Sequence, residues 1–400
     1  MNKLTVAYVC DERYLPYLKV SMASIRRYNR DVEFAILSSK PLKVEGAKVF
    51  TFKPDTDKFK FRLNDRMREG VYYKFYLPTL PYDRILYIDC DVLCQRPLGQ
   101  LWKEKCDFIC ATESHSYGTM QARELGLDKY ALTGMMLMNL KALRKANFTQ
   151  VCLDRLAKET PKFHDETIIN LAFHDKIRFI DKKYNYCRKR PYLEPIPESD
   201  AYLLHYVGGQ KADMLKLDDF RSMEPIKGLF GISSVAIVGN SQSIIGKKQA
   251  KAIDKHDIVI RFNKGFPGPE VGYKTTMLFL ACTLTREELS RFGAHYTVRR
   301  SKLCQNACDF NVSVADRVRL AQVANPAQRA RGKDKSQPST GFLAINFALS
   351  AGAKKIDLYG FDFFETPTYY NPAGYITLHN GLKEAEKVLE YEKWGLLNIK

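Results

Sequence analysis

Short apolar runs alternate with segments of helical period along this chain, and the pattern occurs twice, which limits the fold more than any other feature. Residues 4–10, 32–37, 49–52 and 84–88 read as strands. A helical pattern through Val20, Met22 and Ile25 follows the first, and a Tyr-rich helix near 71–77 precedes the fourth. Strands that are apolar throughout suit a sheet covered on both faces, so the expected architecture is α/β, a parallel sheet with helices on both sides. Between Lys211 and Ser233 the periodicity lapses. It resumes with strands at 235–238, 258–262, 277–281 and 355–359 and a helix at 341–350. Two Rossmann-like domains in tandem are therefore expected, 1–227 and 228–400, with their chemistry gathered at strand C-termini. The stretch 299–337 is basic and poorly periodic, and reads as a surface insertion or flexible lid.

Lys and Arg number 63 against 45 Asp and Glu, leaving a net charge of +18 that calls for an anionic partner. Nucleic acid, an anionic membrane face and phosphorylated substrates all qualify, but no basic-aromatic nucleic-acid module appears, so nucleic acid is not expected. No apolar stretch reaches the roughly 18–20 residues of a membrane span, and Met1-Asn2-Lys3 runs straight into a short strand, so a cytoplasmic chain is expected. The ten cysteines are scattered and complete no zinc pattern; reduced, buried thiols are expected.

The strand 84–88 ends in Asp89-Cys90-Asp91, two carboxylates that can converge on a hard divalent cation, as a nucleotide diphosphate requires. Further on, Leu203-Leu204-His205-Tyr206-Val207-Gly208-Gly209-Gln210-Lys211 offers an imidazole, glycines that let backbone approach a diphosphate, and a compact positive charge. Over roughly residues 3–220 this arrangement resembles glycosyltransferase family 8, the glycogenin and lipopolysaccharide galactosyltransferase family. The resemblance implies Mn2+ (or Mg2+) ligation by Asp89, Asp91 and His205, with Gly208 and Lys211 on the phosphates of a UDP-sugar. It also places Asp11 and Tyr14 near the base, Lys74 on the donor, and Asp165 and Glu166 against the donor sugar. The family's usual Gln is Glu166 here, its second Asp is Thr167, and its Asn-Ala-Gly is Leu132-Thr133-Gly134, all changes that touch the sugar pocket. Family members retain anomeric configuration, either by a front-face route or through a covalent carboxylate. Asp165 or Glu166 is then the group expected to stabilise an oxocarbenium-like transition state.

In the second half, Val235-Ala236-Ile237-Val238-Gly239-Asn240-Ser241 is an apolar strand delivering a polar turn. A dinucleotide fingerprint would need more glycines than Gly239 and Gly246. The strand ending in Arg261-Phe262-Asn263 presents a basic and an amide side chain, and Gln337-Pro338-Ser339-Thr340-Gly341 opens an apolar helix whose N-terminus suits an anion. Together with Asp357-Leu358-Tyr359-Gly360 and His379 five residues ahead of Glu384, this ordered set resembles the sialyltransferases of family 29, with a Tyr-Gly-Phe-Asp-Phe run like that of family 42. The resemblance implies that Asn240, Ser241 and Asn263 contact cytidine monophosphate, that Ser339, Thr340 and Gly341 hold its ribose and phosphate, and that His379 is the general base. Tyr369 and Tyr370 fall near the departing phosphate. Inverting transfer of this kind needs no metal, and Asp362 is expected to be structural, as are His115, His164, His174, His256 and His295.

The two resemblances imply tandem Rossmann-like (GT-A type) glycosyltransferase domains. The first transfers a hexose, galactose or glucose, from a UDP-hexose with retention. The second transfers sialic acid from CMP-sialic acid, or Kdo from CMP-Kdo, with inversion. The expected acceptor is a glycan or glycolipid of bacterial lipooligosaccharide or capsule, met peripherally at the cytoplasmic face of the inner membrane. The alternative is a second domain that only binds or docks.

Overall fold

The first apolar run forms β1 (Thr5–Val9), whose residues Val6, Ala7 and Tyr8 are fully buried because the strand has a parallel neighbour on each side. In the computed structural model, which describes residues 3–59, 69–115, 117–189, 191–215, 220–324, 337–373 and 379–400, the chain divides into two compact units, Met1–Leu215 and Lys216–Lys400.

The strands of the first unit are β2 (Glu33–Ser38), β3 (Lys48–Thr51), β4 (Arg84–Ile88), β5 (Val92–Cys94), β6 (Ile109–Glu113), β7 (Ala131–Asn139), β8 (Ile177–Ile180), β9 (Tyr186–Cys187) and β10 (Leu203–His205). Seven of them form one sheet in the order β3-β2-β1-β4-β7-β6-β8, and β5-β10-β9 form a second, small one. The large sheet is mixed rather than parallel, because β7 runs antiparallel to both β4 and β6. The Tyr-rich segment forms tight 3-10 turns over Glu69–Thr79, with Pro78 inside them. It packs Tyr72 and Phe75 against Phe148, Ile168 and Phe173, where each fully buried ring contributes about 2 kcal/mol.

The second unit is a single sheet of β11 (Ser234–Val238), β12 (Ile258–Phe262), β13 (Met277–Leu280), β14 (Tyr296–Arg299), β15 (Phe310–Asn311), β16 (Lys355–Tyr359) and β17 (Asn398–Ile399). All pairs are parallel, in the order β15-β14-β13-β12-β11-β16-β17. The chain grows outward from β11 on one side and then returns to its other side as β16. Their C-terminal ends therefore border the topological switch point, where open sheets bind ligands. The helix Thr340–Ser350 crosses this sheet almost entirely buried, with Phe347 meeting Phe220, Phe230 and Phe279 at ring separations of 5.3, 5.1 and 6.2 Å. Phe220 and Phe230 thus belong to the second core, and the contact boundary falls ahead of the junction read near residue 228. Part of the stretch read as an insertion is ordered fold: it holds β15 and the helix Val314–Ala324, whose Leu320 is fully buried. Residues 325–336 of that stretch lie outside the described residues. All ten cysteines are free, and no helix among the described residues is long and apolar enough to cross a membrane.

Candidate functional site

In the first unit, β4 ends at Ile88 and the chain turns tightly, with Val92 N bonding Asp89 O at 3.2 Å, so both carboxylates sit at the strand's C-terminal edge. The small sheet brings the third group. β10 pairs antiparallel with β5, setting His205 opposite Val92, and His205 Nε2 lies 3.3 Å from Asp91 Oδ1 and 3.7 Å from Asp89 Oδ2. Donation from Nδ1 to Asn185 Oδ1, 3.2 Å away, leaves Nε2 as the nitrogen that faces the carboxylates. Gly134 makes room, since a Cβ there would collide with the imidazole and press on Asp89. One nitrogen and two carboxylate oxygens lie within 4.8 Å of one another, a donor set that fits Mn2+ or Mg2+.

Two lysines neutralise these carboxylates. Lys74 Nζ is 2.9 Å from Asp165 Oδ2 and 3.2 Å from Asp89 Oδ1. Burial opposes the Lys74 charge, but the two carboxylates outweigh it and its pKa is raised. Lys211 Nζ is 2.9 Å from Asp91 Oδ2 and donates to the Tyr14 hydroxyl at 3.1 Å. For Lys211, as for His205, burial alone would lower the pKa, and Asp91 reverses the sign. Burial would raise Asp91; His205 and Lys211 overcome it and hold the carboxyl below the usual range.

Asp165 and Glu166 open the helix His164–Phe173. Asp165 accepts from Thr133 Oγ1 at 2.8 Å, and Glu166 accepts from Thr133 N at 3.4 Å and bonds the Tyr130 hydroxyl. The helix is seated by Asn170, which brackets Ala131 through its N and O at 2.8 and 2.9 Å, and by Thr167 on the Tyr130 hydroxyl at 3.0 Å. Tyr14, Lys74, Asp89, Asp91, Asp165, His205 and Lys211 thus form one linked cluster, with Glu166 beside it. Asp11 is engaged locally: it caps the turn Glu12–Tyr14 and pairs with Arg13 at 2.7 Å. Gly208 uses its freedom at φ 67°.

Sequence reasoning missed Tyr87, whose hydroxyl bonds Asp89, and Asn185. The period-two alternation of β4 carried a signal for the former, because Tyr87 and Asp89 share a face. It also missed the buried pair of Lys182 and Glu194 at 3.2 Å, which no local pattern announces.

In the second unit a cleft opens at the switch point. Its walls include Asn240, Ser241, Asn263, Ser339, Thr340, Gly341, Tyr370 and His379. Gly239 lets the turns after β11 and β16 touch, since a Cβ there would strike the Gly360 carbonyl. Ser339 caps its helix by accepting from Phe342 N at 3.0 Å, leaving the Thr340 and Gly341 amides without an acceptor among the described residues. That is the polarity an anion needs.

The strand-like strap before this helix is pinned at three successive residues. His379 Nδ1 lies 2.7 Å from Gln337 O, Arg300 donates to Pro338 O at 2.6 Å, and Ser339 N donates to Glu384 Oε1 at 2.6 Å. The bond to Gln337 makes Nδ1 the donor nitrogen of His379 and Nε2 the acceptor. Burial lowers the His379 pKa, with Arg300 adding to the effect. Burial pushes Glu384 up to about 7 against the opposing pull of Ser339 and Arg300.

Three expected roles read differently here. The Ser241 hydroxyl is committed to Asp362 at 2.6 Å. Tyr369 turns away, donating to Phe266 O at 3.3 Å, and only Tyr370 of that pair lines the cleft. Arg261 is fully buried and bonds the carbonyls of Val271, Gly272 and Lys274, so it presents nothing at the strand end; burial lowers its pKa to about 10. Asn240 donates to Phe262 O at 3.1 Å, and Asn263, at φ 49°, accepts from Ala281 N at 2.7 Å. Asp362 accepts from Ser241 Oγ at 2.6 Å, and His256 Nε2 lies 3.0 Å from Asp357 Oδ2.

Residues 5–212 match glycosyl transferase family 8, and residues 230–302 match glycosyltransferase family 29 (sialyltransferase). The second match ends ahead of Ser339 and His379. Glycosyltransferase GlyF of Streptococcus pneumoniae is 23% identical over 197 residues, covering 46% of this chain and 48% of that protein. A lipopolysaccharide 1,2-glucosyltransferase of Escherichia coli is 25% identical over 244 residues, covering 52% and 72%. The chain thus spans about half the length of the first of these relatives. The structure of galactosyltransferase LgtC with donor and acceptor sugar analogs aligns at 17% identity and a TM-score of 0.47, covering 54% of this chain and 95% of that one. With just over half of its length matched, this chain belongs to glycosyl transferase family 8, and behind that match residues 230–302 are similar to family 29.

Proposed function

We propose that the chain is bifunctional: the first unit transfers a hexose from a UDP-sugar with retention, and the second transfers sialic acid from CMP-sialic acid with inversion. The observation that carries the first half is the convergence of Asp89, Asp91 and His205 within 4.8 Å, flanked by Lys74 and Lys211. A divalent cation held there supplies charge neutralisation for the departing diphosphate. Lys211 and the Gly208 turn receive the phosphates, and Tyr14, already bonded to Lys211, borders the nucleoside side. Asp165 is tied up by Lys74 and Thr133 and acts as scaffold. Glu166, next to it, is the carboxylate that faces positive charge developing at the anomeric carbon. The glucosyltransferase relative supports a hexose donor, glucose or galactose. UDP release from UDP-glucose and UDP-galactose in the presence of Mn2+, and its loss in Asp91→Asn, tests this half.

In the second unit, His379 Nε2 takes the acceptor proton while the Thr340 and Gly341 amides receive the cytidine monophosphate anion. No metal is required for that step, and CMP-Kdo is the other donor of the same chemistry. Sequential action, hexose first and sialic acid as its cap, on a glycolipid acceptor at the inner membrane's cytoplasmic face, gives the +18 charge a use. A second reading, a C-terminal unit that binds without turnover, is favoured by the family 29 match ending at residue 302. CMP-sialic acid turnover that disappears in His379→Ala excludes it.

A further inference from the structure

After β16 the chain turns through two consecutive residues in the left-handed region, Phe363 at φ 54° and Phe364 at φ 75°. Bulky side chains rarely occupy that region, so such a turn persists only where its surroundings fix it. Asp362 fixes it from one side: Oδ1 accepts from Phe364 N at 3.2 Å, and Oδ2 accepts from Thr366 N at 3.0 Å, Thr366 Oγ1 at 2.5 Å and Ser241 Oγ at 2.6 Å. Gly381 fixes it from the other, because a Cβ there would collide with the Phe363 carbonyl and press on the Phe364 ring. The outcome of this bracing is a phenyl ring left 38% exposed on the cleft wall, its centroid 5.6 Å from the His379 imidazole. A ring held out in strained backbone beside the expected base is placed to meet a ligand.

We infer that Phe364 is the floor of an acceptor subsite that takes the apolar C–H face of a neutral hexopyranose, with one sugar hydroxyl directed at His379. This rests on reading the second unit as a CMP-sugar transferase. The phosphate of that donor belongs at the helix end formed by Ser339, Thr340 and Gly341, so the ring against His379 borders the side from which the acceptor must arrive. Asp362 bonds Ser241 as well as the aromatic turn, which makes the donor-side turn after β11 and the acceptor-side turn after β16 one hydrogen-bonded unit. Aromatic faces suit this ligand because they present polarisable apolar area without competing for the hydroxyls that the base must find.

The test compares full-length wild type, Phe364→Ala and Phe364→Trp, with CMP-sialic acid and CMP-Kdo as donors and lactose and p-nitrophenyl β-galactoside as acceptor probes. For Phe364→Ala the acceptor KM rises at least about tenfold while the donor KM moves less than about twofold, and Phe364→Trp restores the acceptor KM. Thermal unfolding checks that each variant is folded. An unchanged acceptor KM, or equal rises in both KM values, overturns the subsite and leaves the transferase reading intact. A folded wild type that releases no CMP from either donor overturns the transferase reading, and the subsite with it.

Discussion

Lys74 and Asp165 form a buried ion pair, Nζ to Oδ2 at 2.9 Å, and through the second contact of Lys74 with Asp89 this pair joins the metal-side turn to the helix that carries Glu166. Lys74→Ala leaves the buried Asp165 carboxylate without its counter-charge and takes one neighbouring cation from the partly exposed Asp89; breaking such a buried pair typically costs about 3–5 kcal/mol. The expected result is a lowered unfolding midpoint together with lost UDP-sugar turnover, measured by urea denaturation and nucleotide release on the same preparation.

Glu166→Gln keeps the shape of the side chain and its bond to Thr133 N but removes the charge. Hexosyl transfer is expected to fall by about 100-fold or more, with a smaller change in the KM for the UDP-sugar, since the lost interaction is made mainly in the transition state. An unchanged rate rules out Glu166 as a nucleophile.

Gly134→Ala puts a methyl group into the space of the His205 ring. Displacing one of three ligands is expected to weaken Mn2+ binding by about 10–100-fold, the range seen when ligand orientation is disturbed. Mn2+ titration followed by electron paramagnetic resonance measures it, with circular dichroism as the check on folding.

Glu384 titrates at about 7 when folded, above its ordinary 4.5, with burial as the main cause. The folded state therefore holds this proton more tightly than the unfolded chain does. Its contribution to stability is present at low pH and is lost as pH rises from about 4.5 to about 7, on the order of 3 kcal/mol in all. Glu384→Gln keeps an acceptor for Ser339 N and removes the titration, so it is expected to be more stable than wild type at pH 8 and close to it at pH 5. Equal shifts at both pH values contradict this assignment.

His379 is pulled below its ordinary 6.5 by burial and by Arg300. The acid limb of kcat/KM for CMP-sugar transfer is expected to have its midpoint below 6.5, and His379→Ala to abolish transfer at every pH.

Much of this site was legible because strand ends deliver it. Asp89 and Asp91 follow an apolar run, Ser339 begins an apolar helix, and both placements come from local pattern. What was not legible depends on partners far along the chain. The strand β7 was not read at all, and because strand direction leaves no local trace the sheet was expected to be parallel, whereas β7 runs antiparallel to β4 and β6. Arg261 stands at a strand end like a ligand-binding residue, and only the carbonyls of 271, 272 and 274 reveal it as buried structure. The strap at Gln337, Pro338 and Ser339 is set by Arg300, His379 and Glu384, none of them near it in sequence. Tyr369 and Tyr370 are neighbours whose different fates follow from which one finds the Phe266 carbonyl.

Two transferase sites of different chemistry in one chain are separated by nucleotide release. The full-length protein is incubated with UDP-glucose, UDP-galactose, CMP-sialic acid and CMP-Kdo, each with and without EDTA. The expected result is UDP release that EDTA abolishes and CMP release that EDTA leaves intact. UDP release that survives the chelator, or CMP release that the chelator removes, contradicts it.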